Sequence, residues 1–249
     1  MLLRHGLAQL GGVLCGCALA LVAQSQALPT APAARIFGVD FHCSEFRATD
    51  SLACGRALFL RLRAQVEQDY IERRGLAATL DEFAALEAYH IAFERHDRDQ
   101  RTRKLAELNE RLALPQGDAA ERGRLLAFRE VLVRLARFDS DVDAGTAERA
   151  LPPPQLLRHV IERTKLEIAL YAEYGGAVSL SGSGLFAYGA RIALIEELLA
   201  NGRIALLDED VARHFRVMLH GNPAIVVRTT APDFTPFWQR PIPASYIPP

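Results

Sequence analysis

Residues 51–83 read SLACGRALFLRLRAQVEQDYIERRGLAATLDEF and contain one helix, its stop signal and the start of the next helix. Leu58, Leu62 and Val66 recur at intervals of four residues, which places their side chains on one face of an α-helix. Gly75 follows this stripe, and glycine is typical of a helix C-terminus because it adopts the left-handed conformation without strain. The sequence therefore predicts a first amphipathic helix that ends at Gly75.

A second helix begins with a capping pattern. Thr79 and Glu82 are three residues apart, so each side chain can accept a hydrogen bond from the backbone N–H of the other residue. Apolar residues from Phe83 to about Leu112 suit one helix, but the middle, Glu94 to Lys104, is densely charged and has no apolar stripe. Either that face is solvated or the helix breaks there. Pro115 cannot continue an α-helix. We therefore predict a long second helix between Thr79 and Leu112.

The remaining periodic segments predict a mainly α-helical fold. Further helices are expected over about residues 118–138, 155–174, 185–200 and 209–220, and short strands at about 36–41 and 224–227. The segment from Pro232 onward is rich in proline and aromatic residues, so it is expected to pack in an extended form across the body. The predicted fold is a multi-helix bundle in two lobes, with minor short strands and an extended Pro-rich C-terminal tail.

The N-terminus has the pattern of a secretory signal. A short basic start precedes an apolar stretch, and Ser25-Gln26-Ala27 provides the small residues that signal peptidase requires. A signal peptide over residues 1–27 predicts a periplasmic or secreted protein. The segment Leu14-Cys15-Gly16-Cys17 is similar to a bacterial lipobox, so a lipoprotein anchored through Cys17 is one alternative and an uncleaved anchor is another.

Proline-rich stretches suggest how the rest of the chain is divided. Residues 28–50 are predicted to form a linker and an N-terminal extended segment, and residues 51–150 a first helical lobe. Pro152-Pro153-Pro154 is expected to mark the boundary, because consecutive prolines interrupt helices. Residues 151–249 are predicted to form a second helical lobe with the extended tail.

The composition is that of an ordinary globular protein without an excess of positive charge. The chain of 249 residues has a formal net charge of −1, and 50% of its residues are hydrophobic, which is ordinary for a globular protein. Of the 29 basic residues only Lys104 and Lys165 are lysines, and 30 acidic residues balance the whole set. Because the charges balance, no global positive field indicates a nucleic-acid partner.

Two cysteines, Cys43 and Cys54, remain after signal cleavage and are eleven residues apart. Thiols in an oxidising compartment commonly pair, so the export signal favours a Cys43–Cys54 disulfide. Two buried free thiols are the alternative. A metal pair is less favoured because His42 is the only further ligand nearby, whereas structural zinc takes four.

The succession of signals in the first two helices also resembles a known family. It combines Leu58-x-x-x-Leu62-x-x-x-Val66, Asp69-Tyr70-Ile71, Gly75-Leu76, Ala78-Thr79 and Glu82-Phe83. Over roughly residues 50–95 this pattern looks like the N-terminal domain of SurA-type periplasmic chaperones. The resemblance implies a helical scaffold that binds unfolded polypeptides and has no catalytic residues of its own. No part of the sequence has the compact βα pattern of the parvulin isomerase domain that accompanies this domain in the family.

The expected function is therefore chaperone-like and non-catalytic. The expected partners are unfolded or envelope polypeptides, with no nucleic acid, and a membrane only through a lipidated Cys17 or an uncleaved signal. We assign the client contacts to apolar residues of a groove on the first two helices, namely Phe59, Phe83 and Phe93.

Two other functions stay open. Gly182-Ser183-Gly184-Leu185-Phe186-Ala187 fits the G-x-G-x-x-[GA] dinucleotide fingerprint between a predicted strand at 177–180 and a helix. A second predicted strand at 204–207 leads to Asp208, the candidate for a ribose hydroxyl. The Gly182–Asp208 stretch is therefore the alternative site, for an enzyme or binding protein with a nucleotide-like ligand. The other alternative is a structural or regulatory envelope protein whose C-terminal tail docks a partner.

No complete catalytic or metal-binding motif is present in the sequence. Asp139-x-Asp141-x-Asp143 begins like a calcium loop but lacks the glycine at position six and the glutamate at position twelve. The serines near Gly182 do not form a G-x-S-x-G elbow. We therefore assign no catalytic, cofactor-binding or metal-ligating residue and expect no cofactor.

Overall fold

The computed structural model of the chain describes residues 31–114, 118–147, 152–181, 184–221, 225–227 and 231–244. Within these ranges the protein is mainly α-helical and has two small antiparallel sheets, which confirms the predicted fold class. The six helices of the described part are α1 Ser51–Arg74, α2 Leu80–Ala113, α3 Ala119–Asp143, α4 Pro154–Tyr174, α5 Tyr188–Ala200 and α6 Glu209–Leu219. The predicted signal peptide, with Cys17, lies outside the described residues.

The first sheet joins the N-terminal segment to the second half of the chain. Its strands are β1 Ala34–Ile36, β2 Val39–Phe41 and β5 Ile204–Leu206, in the order β2-β1-β5. The single strand predicted at 36–41 is wrong, because the chain turns back at Phe37 and Gly38. Both of these residues have positive φ, as a type I′ hairpin requires.

The second sheet is built from β3 Val178–Ser181, β4 Gly184–Phe186 and β6 Val226–Val227, in the order β4-β3-β6. The predicted start of a helix at residue 185 is too early, because β4 continues to Phe186 and α5 begins only at Tyr188. Leu185 lies opposite Leu180 in the antiparallel ladder, so this apolar segment pairs as a strand rather than continuing the helix.

The predicted C-terminus of α1 and the predicted N-terminus of α2 are confirmed. The backbone N–H of Leu76 donates to the carbonyl of Ile71 at 2.9 Å past the left-handed Gly75, which closes α1. The capping box at the start of α2 is complete, since Thr79 N–H donates to Glu82 Oε2 at 2.8 Å and Glu82 N–H donates to the Thr79 hydroxyl at 3.3 Å.

The main core surrounds α1. The large side chains of α1 that are fully buried are Leu58, Leu62, Val66 and Tyr70. They pack with buried residues of α4, α5, α6 and the first sheet, so this core draws on both sides of the boundary predicted at 151–154. α1 and α6 approach each other closely at Gly55, where an added Cβ atom would lie 2.8 Å from the Cβ of His214.

Helices α2 and α3 form an antiparallel arm. α2 has 34 residues and is roughly 50 Å long at about 1.5 Å per residue. Leu108 of α2 and Leu132 of α3 are buried. The predicted end of α3 at residue 138 is five residues too early, because Asp139 is buried and bonded to Arg101 at 2.9 Å, which keeps this acidic segment helical.

The C-terminal tail crosses α2 and α4 in an extended form, as predicted. A short 3₁₀ helix, Phe237–Gln239, inserts the buried Trp238 between Leu86 of α2 and Ile161 of α4. Farther along, the Gln100 side chain donates to the carbonyl of Ala244 at 2.9 Å. Within the described ranges, no helix combines the length and the apolar character that a membrane-spanning segment needs.

Cys43 and Cys54 lie at disulfide-bonding distance, with their Cα atoms 5.2 Å apart, which confirms the predicted pairing. Cys43 begins a 3₁₀ helix that follows β2, and Cys54 is in the first turn of α1. Both are buried in the main core. The bond therefore ties the N-terminal hairpin to the central helix.

Gly55→Ala tests the close packing of α1 on α6. The added Cβ would also lie 3.0 Å from the carbonyl oxygen of Val211, and neither this atom nor the His214 Cβ can move without shifting α6. We expect the substitution to lower the free energy of unfolding by about 1–3 kcal/mol. Urea denaturation followed by circular dichroism measures the change.

Gly123→Ala is the matched control for this helical glycine. Gly123 lies in α3 and an added Cβ meets no atom within 4 Å. Alanine has the higher helix propensity, so this variant should gain roughly 0.5–1 kcal/mol. Equal effects at the two glycines would contradict the close approach of α1 and α6.

Removal of the disulfide tests its contribution to stability. The bond closes a loop with a sequence separation of 11 residues. The double variant Cys43→Ala/Cys54→Ala is expected to lose about 3 kcal/mol of unfolding free energy, since the unfolded chain is no longer restricted. The measurement is urea denaturation with and without a thiol reductant. Wild-type stability that does not respond to the reductant would argue against the bond.

Candidate binding cleft

A cleft of about 720 Å³ opens between α4, the second sheet and the C-terminal tail. Its lining has three parts: Arg163, Thr164 and Glu167 from α4; Leu180, Gly184, Leu185 and Val227 from the sheet; and residues 231–237 with Arg240 from the tail. Most of these residues are apolar, and the polar ones are divided between α4 and the tail, with three on each. A cleft of this size accommodates a small molecule or a few residues of a peptide.

The tail is fixed as one wall of the cleft by two kinds of contact. Trp238 anchors it in the apolar cluster between α2 and α4. Arg240 turns back on the preceding residues, donating from Nε to the carbonyl of Thr235 at 3.0 Å and from Nη2 to the carbonyl of Asp233 at 2.8 Å. The side chain of Phe234 in the same wall packs against Tyr171 of α4, with ring centroids 5.0 Å apart.

A buried charge cluster lies behind the α4 part of the cleft. Arg191 of α5 donates from Nη1 and Nη2 to the two oxygens of Glu167 at 2.5 and 2.6 Å, and from Nε to Glu67 Oε1 at 2.7 Å. Glu167 also accepts a hydrogen bond from the backbone N–H of Ala187 at 2.8 Å. One arginine of α5 is therefore held by a carboxylate of α1 and a carboxylate of α4.

Two more arginines complete this arginine–glutamate cluster, which we define as Arg63, Glu67, Arg163, Glu167 and Arg191. Arg63 Nε donates to Glu67 at 2.9 Å, and Arg163 Nε lies 3.1 Å from Glu167. The ring of Phe186 lies beneath all three guanidinium groups, at 4.0–5.2 Å from their central carbons. Stacking of cations on an aromatic face adds to their stabilisation.

The pKa values in the cluster reflect burial against opposite charge. Burial alone would raise the pKa of Glu67, but Arg191 and then Arg63 hold it below its ordinary value. Burial likewise acts to lower the pKa of Arg191, but Glu167 and Glu67 raise it overall. The pKa of Arg163 is lowered, because burial outweighs the attraction of the two carboxylates. Arg163 is therefore less well compensated than Arg191.

The cluster was not predicted from the sequence, although its pattern is visible there. Arg63 precedes Glu67 by four residues, and Arg163 precedes Glu167 by four. Arginine and glutamate at this spacing are usually an exposed pair on a helix surface. Their burial follows from the packing of α1, α4 and α5, which no local pattern specifies.

The three predicted client-binding residues are not brought together in the cleft. Phe59 is half-buried and packs edge-on against Phe215 of the main core, with centroids 5.7 Å apart. Phe83 packs in the apolar cluster around Trp238. Phe93 stacks on Tyr89 of the same helix at 6.1 Å. A role of these phenylalanines in client binding stays a prediction.

The Gly182–Asp208 stretch does not form the βαβ unit that the dinucleotide fingerprint describes. β3 pairs antiparallel with β4, whereas β5 pairs with β1 in the other sheet. Asp208 accepts a hydrogen bond from the Val211 N–H at 2.9 Å and caps α6. Gly182 and Ser183 lie outside the described residues. The geometry therefore gives no support to a nucleotide crevice at this position.

Comparison with known proteins yields no relative. No protein-family model, no curated protein and no solved structure matches the chain.

Glu67→Gln tests the charge balance of the cluster. Because the folded-state pKa of Glu67 is below its ordinary value of 4.5, ionised Glu67 stabilises the fold above about pH 4.5. This contribution is lost as the pH falls through the lower folded-state pKa. We expect the variant to be about 3 kcal/mol less stable than wild type at pH 7, with a gap that narrows below pH 4.5. Urea denaturation between pH 7 and pH 3 measures the gap.

Glu130→Gln is the control for this titration. Glu130 is an exposed glutamate of α3, 4.0 Å from Arg134, so its substitution should change stability little at any pH. A constant gap between wild type and Glu67→Gln across the pH range would contradict the role of the Glu67 charge.

Proposed function

We propose that this protein is an exported, non-catalytic binding protein that holds a segment of another polypeptide in the cleft between α4, the second sheet and the tail. The observation that carries the proposal is the cleft itself, which is lined mainly by apolar side chains and is open to solvent on a folded scaffold. Apolar side chains of an unfolded client would gain hydrophobic stabilisation by leaving water in such a cleft.

Exposed apolar groups in the cleft support this proposal. Leu180 is 53% exposed although it projects from the central strand of the second sheet. Phe237, at the opposite wall, is 42% exposed. Large apolar side chains that border a concave surface are typical of a binding site.

The second sheet offers a further mode of contact. β4 and β6 are its outer strands, and within the described ranges no other strand pairs with either of them. An extended polypeptide adds to a free sheet edge through backbone hydrogen bonds, which are independent of its sequence. Such contacts suit a protein that binds unfolded or envelope polypeptides of varied sequence.

The proposal keeps the partner that the resemblance to SurA-type chaperones implies but places the contacts in the cleft. Export through the N-terminal signal, to the periplasm or outside the cell, is part of the proposal. The buried Cys43–Cys54 pair supports it, because disulfides persist in oxidising compartments. Lipidation at Cys17 would tether the same cleft to a membrane.

The alternative in which the tail itself docks a partner is less favoured. Trp238 is buried between α2 and α4, so release of the tail would expose Leu86 and Ile161 to water. The tail is therefore better suited to form a wall of the cleft than to detach and bind a partner.

Binding of an unfolded client is the direct test. The client is a reduced, carboxymethylated and fluorescently labelled protein that stays unfolded in buffer, and anisotropy reports its binding to the oxidised mature protein. Leu180→Glu places a charge among the apolar groups of the cleft without touching the core, since Leu180 is exposed. We expect this variant to bind the client roughly tenfold more weakly, because a charge in an apolar contact loses its solvation.

Val217→Glu is the matched control. Val217 is 67% exposed on α6 and does not line the cleft, so its substitution should leave binding within about twofold. The proposal is wrong if the wild-type protein does not bind the client, or if both substitutions weaken binding equally.

A further inference from the structure

The arginine–glutamate cluster contains one more positive than negative charge. Its cations are Arg63, Arg163 and Arg191, and its anions are Glu67 and Glu167, so three minus two leaves a charge of +1. An excess charge behind a mostly apolar cleft is costly unless a counter-charge approaches it.

The excess falls on Arg163, the one cluster arginine that lines the cleft. Arg191 makes three hydrogen bonds of 2.5–2.7 Å to the two carboxylates, and Arg63 donates one hydrogen bond to Glu67 Oε1 at 2.9 Å. Arg163 makes one long hydrogen bond, 3.4 Å from Nη1 to Glu67 Oε2, and a 3.1 Å ion pair from Nε to Glu167 Oε1, while none of the described residues bonds to its Nη2. Its side chain is 22% exposed, so solvent or a ligand can reach it.

The other charges of the cleft neutralise each other. Arg240 Nη2 lies 3.0 Å from Asp233 Oδ2, and Arg240 also donates to two backbone carbonyls of the tail. Glu167, the remaining acid in the lining, is bonded to Arg191 through both oxygens. The described lining of the cleft therefore combines mainly apolar side chains with the guanidinium of Arg163, whose Nη2 has no hydrogen bond among the described residues.

We propose that the cleft binds the C-terminus of a polypeptide, with the terminal carboxylate on Arg163 and the apolar side chains of the last residues between Leu180 and Phe237. This inference rests on the proposed function and specifies which part of the partner is bound. A terminal carboxylate supplies the one negative charge that the cluster lacks, and its two oxygens match the donors of a guanidinium. The backbone of an internal segment has no such group and leaves the excess positive charge of the cluster without a counter-charge.

The test compares two forms of one peptide on the full mature protein. The probe is a fluorescent, N-acetylated hexapeptide with apolar final residues, made as the C-terminal acid and as the C-terminal amide. Anisotropy titration should give about tenfold tighter binding of the acid, which is the range for one charge-assisted hydrogen-bonding group.

Arg163→Gln should remove the difference between acid and amide while leaving the affinity for the amide unchanged. The substitution leaves two arginines facing two glutamates, so the fold is expected to persist, and circular dichroism checks it. Arg163→Lys keeps the charge without the two-pronged donor geometry and should retain part of the preference for the acid. Arg134→Gln is the control, because Arg134 lies on α3, is 66% exposed and does not line the cleft, so this substitution should leave the preference intact.

Three outcomes would overturn the inference. Equal binding of acid and amide, with client binding still weakened by Leu180→Glu, rejects the terminal carboxylate and leaves the proposed function standing. Failure of the peptides and of the unfolded client to bind rejects both. Octanoate that binds as tightly as the peptide acid, and loses that binding in Arg163→Gln, would reassign the site to small carboxylic acids.

Discussion

Burial of the Arg191 guanidinium is the constraint on which the arrangement of α1, α4 and α5 depends. An unpaired charge in this position would cost several kcal/mol, so both Glu67 and Glu167 have to reach it with correct geometry. Each of the three residues comes from a different helix, and the three hydrogen bonds among them fix the rotation of each helix about its own axis. Since Glu167 also accepts from the Ala187 N–H, the start of α5 is held in the same place. The orientation of α4, and with it the exposure of Arg163 to the cleft, follows from this network.

The cleft depends equally on the second, smaller apolar cluster. Trp238 packs against Leu86 and Ile161, which holds the tail across α2 and α4. The tail in turn faces the second sheet, whose outer strands are short and free of further pairing within the described ranges. The cleft is thus formed by elements that are held in different ways: α4 by buried charge and by both apolar clusters, the small sheet by its strand pairing, and the tail by Trp238 and Phe234.

Much of the fold was predictable because its signals are local. The apolar stripe of α1, the left-handed Gly75 and the capping box at Thr79 each act within one turn of helix, so the sequence contains all that is needed. The hairpin at Gly38 and strand β4 were missed because an apolar run of three or four residues fits a strand or a helix end equally well. Asp139 extended α3 beyond its predicted end through a partner, Arg101, that lies 38 residues earlier.

The candidate site was much less predictable than the fold. Arg63 with Glu67, and Arg163 with Glu167, have the spacing of ordinary surface pairs, and only the convergence of three helices turns them into one buried cluster. The wall contributed by the tail depends on where Trp238 is buried, which no spacing reveals. The glycine fingerprint has a good local pattern, but the two strands predicted for its βαβ unit, at 177–180 and 204–207, belong to different sheets.

The position of the tail along the chain also determines at which stage of folding the cleft forms. Gln100 meets Ala244 across 144 residues of sequence, and the wall from Ala231 to Arg240 follows all six helices of the described ranges along the chain. Contacts of such long separation form late because a long loop has to close before they contribute. The main core around α1 can therefore assemble while the cleft still lacks one wall. A chain without the wall from Ala231 to Arg240 would keep its scaffold but would have no enclosed cleft.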